Sequence, residues 1–384
     1  MSEINASNFK KEHGDLAPDL VGVTELTSPY FFVPPSGTTA ERPEDCEAGT
    51  LRFNTDIGSL EVFRGKTIGW EQIQRRESQY LGGDPANSVI TTSTNSNRGT
   101  GTRGMTVGGN TPTSQDKIEY VTISTFGNTQ DFGDLTFAAT GVAGSASNTR
   151  GIFNGTGNPA TNTIQFITIA STGNAIDFGD NTVGTTGYRN SLANQTRSVT
   201  GGANSSSNVM DYVTIASTGD AVDFGDLTYS ISMPFAFASS TRGIFAGGNS
   251  SPVINFITIA TTGNATVFGS LSAGTVASNG AVSNATRGCM KYRTGSYINT
   301  IEFLTTATLG NSIDFGDSTN NAGGNGGLAS PTRGLFAGGY GTPHGFTTQI
   351  AAIEIPTTGN AVDFGDMSYA ADAVGGCSNG HGGL

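Results

Sequence analysis

The chain has few charged side chains, no excess of basic residues and no long hydrophobic run. Only 13% of its 384 residues are charged, and 31 acidic against 19 basic residues give a formal net charge of −12. An acidic surface does not suit nucleic acid, whose phosphates require a cationic partner face. A membrane-spanning helix needs a run of about 18 or more apolar residues, and the sequence contains none. We therefore expect no nucleic-acid partner and no membrane insertion.

Cysteine and histidine are also scarce, which bears on compartment and chemistry. The three cysteines are far apart and form no Cys-x-x-Cys pair: Cys46, Cys289 and Cys377. Such a set argues against a disulfide framework and indicates synthesis in a reducing cytoplasm, and the first residues lack the apolar core of a signal peptide. The three histidines do not share a repeat at ligand spacing, and no Gly-x-Ser-x-Gly motif occurs. We expect no metal, no cofactor and no catalytic residues.

The enzymatic alternative is a hydrolase acting on host polysaccharide. It would need clustered carboxylates, and the sequence offers Glu119, Glu302 and Glu354. These three residues fall in different repeats, so we predict that the protein is not an enzyme.

Glycine is very abundant, with 56 residues, while the hydrophobic fraction is only 35%. This composition is typical either of a disordered, low-complexity chain or of an all-β array of short strands and tight turns. The periodicity of the sequence favours the array.

Six repeats of about 46 residues each begin at an arginine. The arginines are Arg103, Arg150, Arg197, Arg242, Arg287 and Arg333. A Phe-Gly pair follows in each copy, at Phe132, Phe178, Phe224, Phe268, Phe315 and Phe364. Five of these six pairs read Phe-Gly-Asp.

Each repeat predicts four short strands, A to D. Strand B starts at the arginine and ends in glycines, strand C is the next Thr/Ile/Val/Phe run, and strand D contains Phe-Gly-Asp after a Gly-Asn or Gly-Asp hairpin. Strand A is the small-residue stretch before the next arginine. A period of about 40 to 50 residues with four strands is typical of a β-propeller with strand A innermost. A β-helix has shorter coils, and an immunoglobulin array has longer units.

The glycine pair at the end of strand B, followed by a variable link and a hydrophobic strand C, resembles the kelch repeat. Kelch repeats usually carry a tryptophan in strand D, where this chain has the phenylalanine of Phe-Gly-Asp. The single tryptophan, Trp70, lies outside the repeats. The resemblance implies a kelch-like β-propeller.

Residues 1–45 have a different composition, rich in proline and with a cluster of aromatic residues. The segment contains Tyr30, Phe31, Phe32, Pro34 and Pro35. Proline favours extended backbone, and exposed aromatic clusters are unfavourable in a free monomer. We predict an extended arm that anchors the chain on another protein. The alternative is that the arm folds back on its own propeller.

Residues 46–78 predict a three-stranded β-meander with strands at 51–54, 59–64 and 69–74. This module resembles one near the N-termini of bacteriophage tail and fibre proteins. Together with the Gly/Ser/Thr/Asn-rich repeats, it makes the chain resemble virion structural proteins of tailed phages, particularly the T4-like phages of cyanobacteria. The resemblance implies a tail-fibre-type virion protein, made in the host cytoplasm, with other virion proteins as partners and a homo-oligomeric state in the particle.

The propeller region, residues 79–384, contains one surplus strand. Residues 369–384 repeat the strand A pattern but no further arginine follows. We predict that this strand pairs with the meander in a composite seventh blade, which would tie both ends of the chain and remove open edges. The alternative is six blades, with the tail replacing or covering a weak strand at 89–96.

The repeat positions favour structural roles. We expect the arginines to order the edge of their own blade by donating to carbonyls or to a repeat aspartate, and the Phe-Gly-Asp aspartates to form Asx turns.

Candidate binding residues lie in the B–C loops, where the copies differ most. They are Tyr292, Arg293 and Tyr297 in the fifth repeat and Tyr340, His344 and Phe346 in the sixth. Aromatic faces with polar neighbours suit sugar recognition, although a subunit contact or loop filler is the alternative.

These observations favour a non-enzymatic, tail- or fibre-associated phage structural protein. In this hypothesis the arm attaches it to the virion, and the propeller is displayed for adhesion to a host-surface glycan. The alternative is an architectural decoration or connector protein without a ligand.

Overall fold

The computed structural model describes residues 34–43, 46–56, 59–66, 69–72, 102–183, 188–203, 207–274, 280–291, 293–294, 296–343 and 345–384. The chain divides into two compact units, Met1–Ser78 and Gln79–Leu384. Apart from one 3-10 turn at Thr39–Glu41, every regular element in these ranges is a β-strand. The same ranges contain no helix long and apolar enough to cross a membrane. The all-β prediction is therefore confirmed.

One four-stranded sheet forms the described part of the first unit. Its strands, in spatial order, are β1 (Ser36–Gly37), β2 (Leu51–Asn54), β3 (Ser59–Phe63) and β4 (Trp70–Gln72). Strands β2 to β4 are the antiparallel meander that the sequence predicts. Strand β1 runs parallel to β2, and the Phe53 N–H donates to the Pro35 carbonyl oxygen (2.8 Å). The stretch that we expected at the end of an extended arm is thus part of this sheet.

A buried carboxylate holds the 3-10 turn segment on the meander. Glu61 is fully buried and accepts hydrogen bonds from Arg42 Nη2 (2.6 Å) and Arg52 Nη1 (3.2 Å). The hydrogen bond from Arg42 holds the pKa of Glu61 below its usual value in spite of burial. A buried charge is stable only when it is paired.

Six antiparallel four-stranded sheets form the second unit, one for each repeat, and are numbered 1 to 6 by their arginines. In each of them the spatial order is A, B, C, D, as predicted. Sheet 1 consists of β30 (Gly375–Ser378), β5 (Arg103–Val107), β6 (Gln115–Thr122) and β7 (Gln130–Ala139). Sheet 2 consists of β8 (Ala143–Ala146), β9 (Arg150–Asn154), β10 (Thr163–Thr168) and β11 (Ile176–Asp180). Sheet 3 consists of β12 (Asn190–Ala193), β13 (Arg197–Gly201), β14 (Ser207–Thr214) and β15 (Val222–Ile231). Sheet 4 consists of β16 (Phe235–Ala238), β17 (Arg242–Ala246), β18 (Val253–Thr258) and β19 (Thr266–Ser270). Sheet 5 consists of β20 (Ala281–Ser283), β21 (Arg287–Lys291), β22 (Thr300–Thr305) and β23 (Ile313–Asp317). Sheet 6 consists of β24 (Gly326–Ala329), β25 (Arg333–Ala337), β28 (Gln349–Glu354) and β29 (Val362–Asp366). A separate hairpin, β26 (Tyr340–Gly341) and β27 (Gly345–Phe346), precedes β28.

The surplus strand does not pair with the meander, so the predicted composite sheet is wrong. Strand β30 is strand A of sheet 1, where Cys377 lies opposite Met105. Asn379 Oδ1 accepts a hydrogen bond from the Arg103 N–H (2.8 Å), as Asn194 does from Arg197 within one continuous chain segment (2.8 Å). Strand β30 and Asn379 therefore form with Arg103 the same A–B contact as in the other repeats, although the two strands are far apart in the sequence. Residues 89–96, the alternative first strand, lie outside the described ranges.

The A strands of the six sheets contact one another in a closed order. The contacts run from β8 through β12, β16, β20, β24 and β30 back to β8. One small cavity is lined by strand A residues of all six sheets, among them Ser145, Ser191, Phe237, Val282, Ala329 and Ser378. Small side chains allow this approach, since a Cβ on Gly144 would lie 2.5 Å from the Gly376 carbonyl oxygen.

Neighbouring sheets are joined by a contact between the Phe-Gly-Asp segment of one and the Gly-Asn or Gly-Asp turn of the next. Between sheets 2 and 3, the Gly219 N–H donates to the Phe178 carbonyl oxygen (2.8 Å), and the Asp180 N–H donates to Asp220 Oδ1 (3.0 Å). Gly179 has a φ of +147°, and a Cβ there would lie 2.5 Å from the Gly219 backbone. Only glycine fits such a conformation and approach.

The same junction recurs around the unit. The equivalent N–H to Oδ1 hydrogen bonds run from Asp134 to Asn174, Asp226 to Asn264, Ser270 to Asn311, Asp317 to Asn360 and Asp366 to Asn128. The last of these joins sheet 6 to sheet 1. The backbone of the Phe-Gly-Asp segment thus donates hydrogen bonds to the next sheet. This role differs from the predicted Asx turn.

Each repeat arginine also donates to carbonyl oxygens of the next sheet. Arg197 Nη1 donates to the carbonyls of Ile259 (3.1 Å) and Ala260 (2.8 Å), and its guanidinium lies 4.6 Å from the ring centre of Tyr212 in its own sheet. The other arginines donate as follows: Arg103 to Ile169, Arg150 to Ile215, Arg242 to Thr306, Arg287 to Ile355 and Pro356, and Arg333 to Ile123 and Ser124. Carbonyl acceptors were predicted, but they belong to the neighbouring sheet and not to the arginine's own edge.

Candidate functional site

Four of the six predicted loop residues form one continuous row. The Tyr340 ring lies 5.7 Å from the Tyr297 ring and 5.1 Å from the Phe346 ring, centre to centre. The guanidinium of Arg293 lies over Tyr297 at 4.2 Å. We call Arg293, Tyr297, Tyr340 and Phe346 the aromatic row; all four are half-buried. The other two predicted residues, Tyr292 and His344, lie outside the described ranges.

Backbone pairing fixes the row. Tyr340 exchanges two backbone hydrogen bonds with Gly323 (2.8 and 2.9 Å), outside the regular sheet. A Cβ on Gly323 would lie 3.0 Å from the Arg293 side chain, so this glycine lets the arginine stem lie against the loop backbone. Asn321 Nδ2 donates to the Thr342 carbonyl oxygen (2.9 Å) and ties the β26–β27 hairpin to the loop after strand D of sheet 5.

An acidic residue that the sequence analysis missed lies in the field of Arg293. Asp372 is partly buried, and burial raises the pKa of its carboxyl group, while the charge of Arg293 opposes that shift. Asp372 Oδ1 and Arg293 Nε have no hydrogen-bond partner among the described residues. Both atoms are buried, so neither of them is accessible to a ligand in this conformation.

Phe346, the last member of the aromatic row, also lines an open groove of about 590 Å³ beside β28 and β29. We call it the β28–β29 groove. Its lining combines one aromatic ring with amides, a hydroxyl and two carboxylates: Phe346, Asn320, Thr348, Gln349, Asp363 and Asp366. The sequence marks Asp363 and Asp366 as one of the recurring acidic pairs around Phe-Gly, and Asp366 was expected to form a turn. The amides and Thr348 were not singled out, since each is an ordinary residue of a polar strand or loop.

A chain of hydrogen bonds fixes the orientation of the amides in the groove. Lys291 Nζ donates to Asn320 Oδ1 (2.7 Å), and Asn320 Nδ2 donates to Gln349 Oε1 (2.6 Å). Gln349 Nε2 then donates to Asp363 Oδ1 (3.2 Å). Because an ammonium group can only donate, it sets the direction of both amides.

Lys291 is itself unusual, since it is buried and its described hydrogen-bond partner is a neutral amide. Burial lowers the pKa of its ammonium group to about 7. At this place in strand B the other repeats carry a shorter or uncharged residue: Val107, Asn154, Gly201, Ala246 and Ala337.

Next to the groove, strand C of sheet 6 differs from strand C of the other five sheets. The first five sheets carry a buried polar residue at one position: Glu119, Gln165, Asp211, Asn255 and Glu302. Gln165 Oε1, for example, accepts hydrogen bonds from the N–H (2.7 Å) and the hydroxyl (2.8 Å) of Thr136 in the preceding sheet. Sheet 6 has Ala351 there, and the hydroxyl of Thr319 donates to Gln349 Oε1 instead (3.1 Å). The polar contact is thus moved two residues along β28, to a side chain that lines the groove.

At the opposite ends of the A strands, the residues that the structure describes form no comparable row. The segment after β30 lies across them: His381 Nε2 is 2.7 Å from the Ala146 carbonyl oxygen, and the Gly382 N–H donates to the Ser283 carbonyl oxygen (2.9 Å). Burial lowers the pKa of the His381 imidazole. These contacts tie the segment to sheets 2 and 5.

The carboxylates considered for a hydrolase are engaged in separate sheets. Glu119 accepts from the Thr129 hydroxyl (2.6 Å), Glu302 from the Ser312 hydroxyl (2.5 Å), and Glu354 from Arg333 Nε (3.0 Å). The described ranges also hold no group of three or more His, Cys, Asp or Glu side chains arranged for a metal ion.

The predicted anchoring residues Tyr30, Phe31 and Phe32 lie outside the described ranges. Pro34 and Pro35 immediately precede β1 in the first unit.

No protein-family model matches the chain, and a search of curated proteins gives no match either.

Proposed function

We propose that the six sheets are the blades of a six-bladed, kelch-like β-propeller. The closed order of contacts between the A strands supports this arrangement, as does the cavity to which all six sheets contribute. The junction of Asp366 with Asn128 and the hydrogen bond from Arg333 to Ile123 join the last sheet to the first. Strand β30 would then close the ring by completing blade 1.

We further propose that this propeller is a non-enzymatic adhesion module that binds carbohydrate on a host surface. The aromatic row carries the proposal: three rings and a guanidinium lie in contact, half-buried, in loops of neighbouring sheets. Aromatic faces pack against the CH groups of pyranose rings, and nearby polar atoms can bind the hydroxyls. Such a rigid scaffold with variable loops is a common arrangement for binding proteins.

The virion assignment of this proposal is carried by the sequence resemblance to tailed-phage structural proteins. In it the residues before the first sheet attach the chain to other virion proteins, and several copies assemble in the particle. Deleting residues 1–33 leaves β1 intact, and we expect a folded chain that no longer enters particles. Normal incorporation of this truncation would contradict the anchoring role.

An array of immobilised oligosaccharides tests the adhesion function. We expect the full chain to bind a subset of the array, and Tyr297→Ala or Phe346→Ala to weaken that binding at least about tenfold. Leu309→Ala is the control, because Leu309 is an exposed apolar residue (60% accessible) of another loop, outside the aromatic row. A folded chain that binds no oligosaccharide would favour the alternative, an architectural decoration or connector protein.

A further inference from the structure

We propose that the β28–β29 groove is a subsite for a neutral pyranose, bound through a pair of adjacent hydroxyl groups. The ring of Phe346 packs against the sugar, and the carboxylates of Asp363 and Asp366 accept the hydroxyl hydrogens. This assignment rests on the carbohydrate binding proposed above and extends it from the loop residue Phe346 to strands β28 and β29.

The carboxylates of Asp363 and Asp366 can accept more hydrogen bonds than the structure gives them. Asp363 Oδ1 accepts one hydrogen bond from Gln349, and Asp366 Oδ1 accepts one from the Thr348 hydroxyl (2.8 Å). An ionised carboxylate has about four acceptor positions. Both side chains are exposed at the groove surface, so their second oxygens are accessible to a ligand. Vicinal hydroxyls of a sugar are donors suited to two such neighbouring acceptors.

The polar side of the groove is ordered before any ligand arrives. The hydrogen-bond chain from Lys291 through Asn320 and Gln349 ends on Asp363, so the amides and one carboxylate are held in defined positions. Groups that are fixed in advance lose less conformational entropy on binding, which raises affinity. Gly341 contributes by its size, since a Cβ there would lie 2.9 Å from Asn321 Oδ1.

The charge of the groove sets its selectivity. The described lining of the groove contains two carboxylate side chains, Asp363 and Asp366, and no cationic side chain. A sialylated or sulfated sugar would place a like charge beside these carboxylates, which is unfavourable. Neutral sugars avoid this repulsion, so we expect the subsite to select them.

The oligosaccharide array tests the subsite when it includes neutral, sialylated and sulfated members. We expect the full chain to bind neutral members, and Asp363→Asn and Gln349→Ala each to weaken binding at least about tenfold. Asp314→Asn is the matched control, because Asp314 stands opposite Glu302 in sheet 5 as Asp363 stands opposite Ala351 in sheet 6. This control should bind as the wild type does. Thermal unfolding of each variant checks that it is folded.

The possible results separate the two proposals. Wild-type affinity in folded Asp363→Asn and Gln349→Ala variants, or binding only of sialylated and sulfated members, would overturn the subsite. In that case a loss of binding in Tyr297→Ala would still support the aromatic row. No binding by the folded wild-type chain would overturn both.

Discussion

Single residues give sheet 6 its distinct chemistry. Ala352 stands where the other sheets have an aromatic residue beneath the repeat arginine, such as Tyr212 opposite Val199. Phe126 of sheet 1 supplies the missing ring, lying 4.7 Å from the Arg333 guanidinium and 5.3 Å from the ring of Phe364. The stacking of the arginine on an aromatic ring is therefore retained in sheet 6.

Lys291 leads to a pH-dependent prediction. Its pKa is about 7 in the folded chain and near 10.5 when exposed, so the unfolded chain binds more protons between these values. The stability of the wild type therefore rises as the pH increases from 7 towards 10.5, and the cost of burying the ammonium group is largest at pH 7 and below. Lys291→Met removes this cost, which is on the order of a few kcal/mol.

Thermal unfolding measured from pH 7 to about 9.5 checks this prediction. We expect Lys291→Met to unfold at a higher temperature than the wild type at pH 7, with a difference that shrinks as the pH rises. A difference that does not change with pH would show that Lys291 is charged throughout the folded state.

At the scale of strands and turns, the junctions between sheets lead to a prediction about glycine. Gly179 and Gly219 meet in one junction, and both have φ near +150°. A Cβ on Gly179 would lie 2.5 Å from the Gly219 backbone, whereas a Cβ on Gly219 would have nothing within 4 Å. Both alanine variants suffer backbone strain of about 1–3 kcal/mol, but only Gly179→Ala also forces the sheets apart.

Chemical denaturation of the two variants isolates the junction. We expect Gly179→Ala to lose about 1–3 kcal/mol more free energy of unfolding than Gly219→Ala. Equal losses would mean that the close approach of the two turns contributes nothing beyond the strain.

The strands could be predicted well because their signals are local. Alternating β-branched residues mark strand C, and the arginine and glycines delimit strand B. The contacts between sheets could not be predicted in the same way. The partner of Asp180 is Asp220, and only the spatial order of the sheets brings the two together. The same holds for the groove, since the proximity of Asn320, Gln349 and Asp363 follows from strand register.

For the molecule as a whole, the sequence analysis identified the surplus strand but paired it wrongly. Small residues of strand A type fit any open edge, so the pattern alone could not distinguish the meander from β5. The A–B turn distinguishes them, because Asn379 caps Arg103 as Asn194 caps Arg197. With β30 paired to β5, each of the six sheets of the second unit has a strand A.

The proposed ring of six sheets depends most on the pairing of β30 with β5, and a designed disulfide tests this pairing directly. Met105 and Cys377 are opposite residues of neighbouring antiparallel strands, where Cα atoms are about 4.5–5.5 Å apart, within the range that a disulfide spans. Burial raises the pKa of the Cys377 thiol to about 12, so the oxidant must be present during refolding. The background carries Cys46→Ser and Cys289→Ala, to leave one native thiol.

The decisive measurement is mass spectrometry of the oxidised chain after proteolysis. We expect Met105→Cys to give a cross-linked peptide that joins positions 105 and 377, with a higher unfolding temperature. Val62→Cys, in strand β3 of the meander, should give no cross-link to position 377. A cross-link of Val62→Cys together with none of Met105→Cys would contradict the pairing of β30 with β5 and with it the proposed ring.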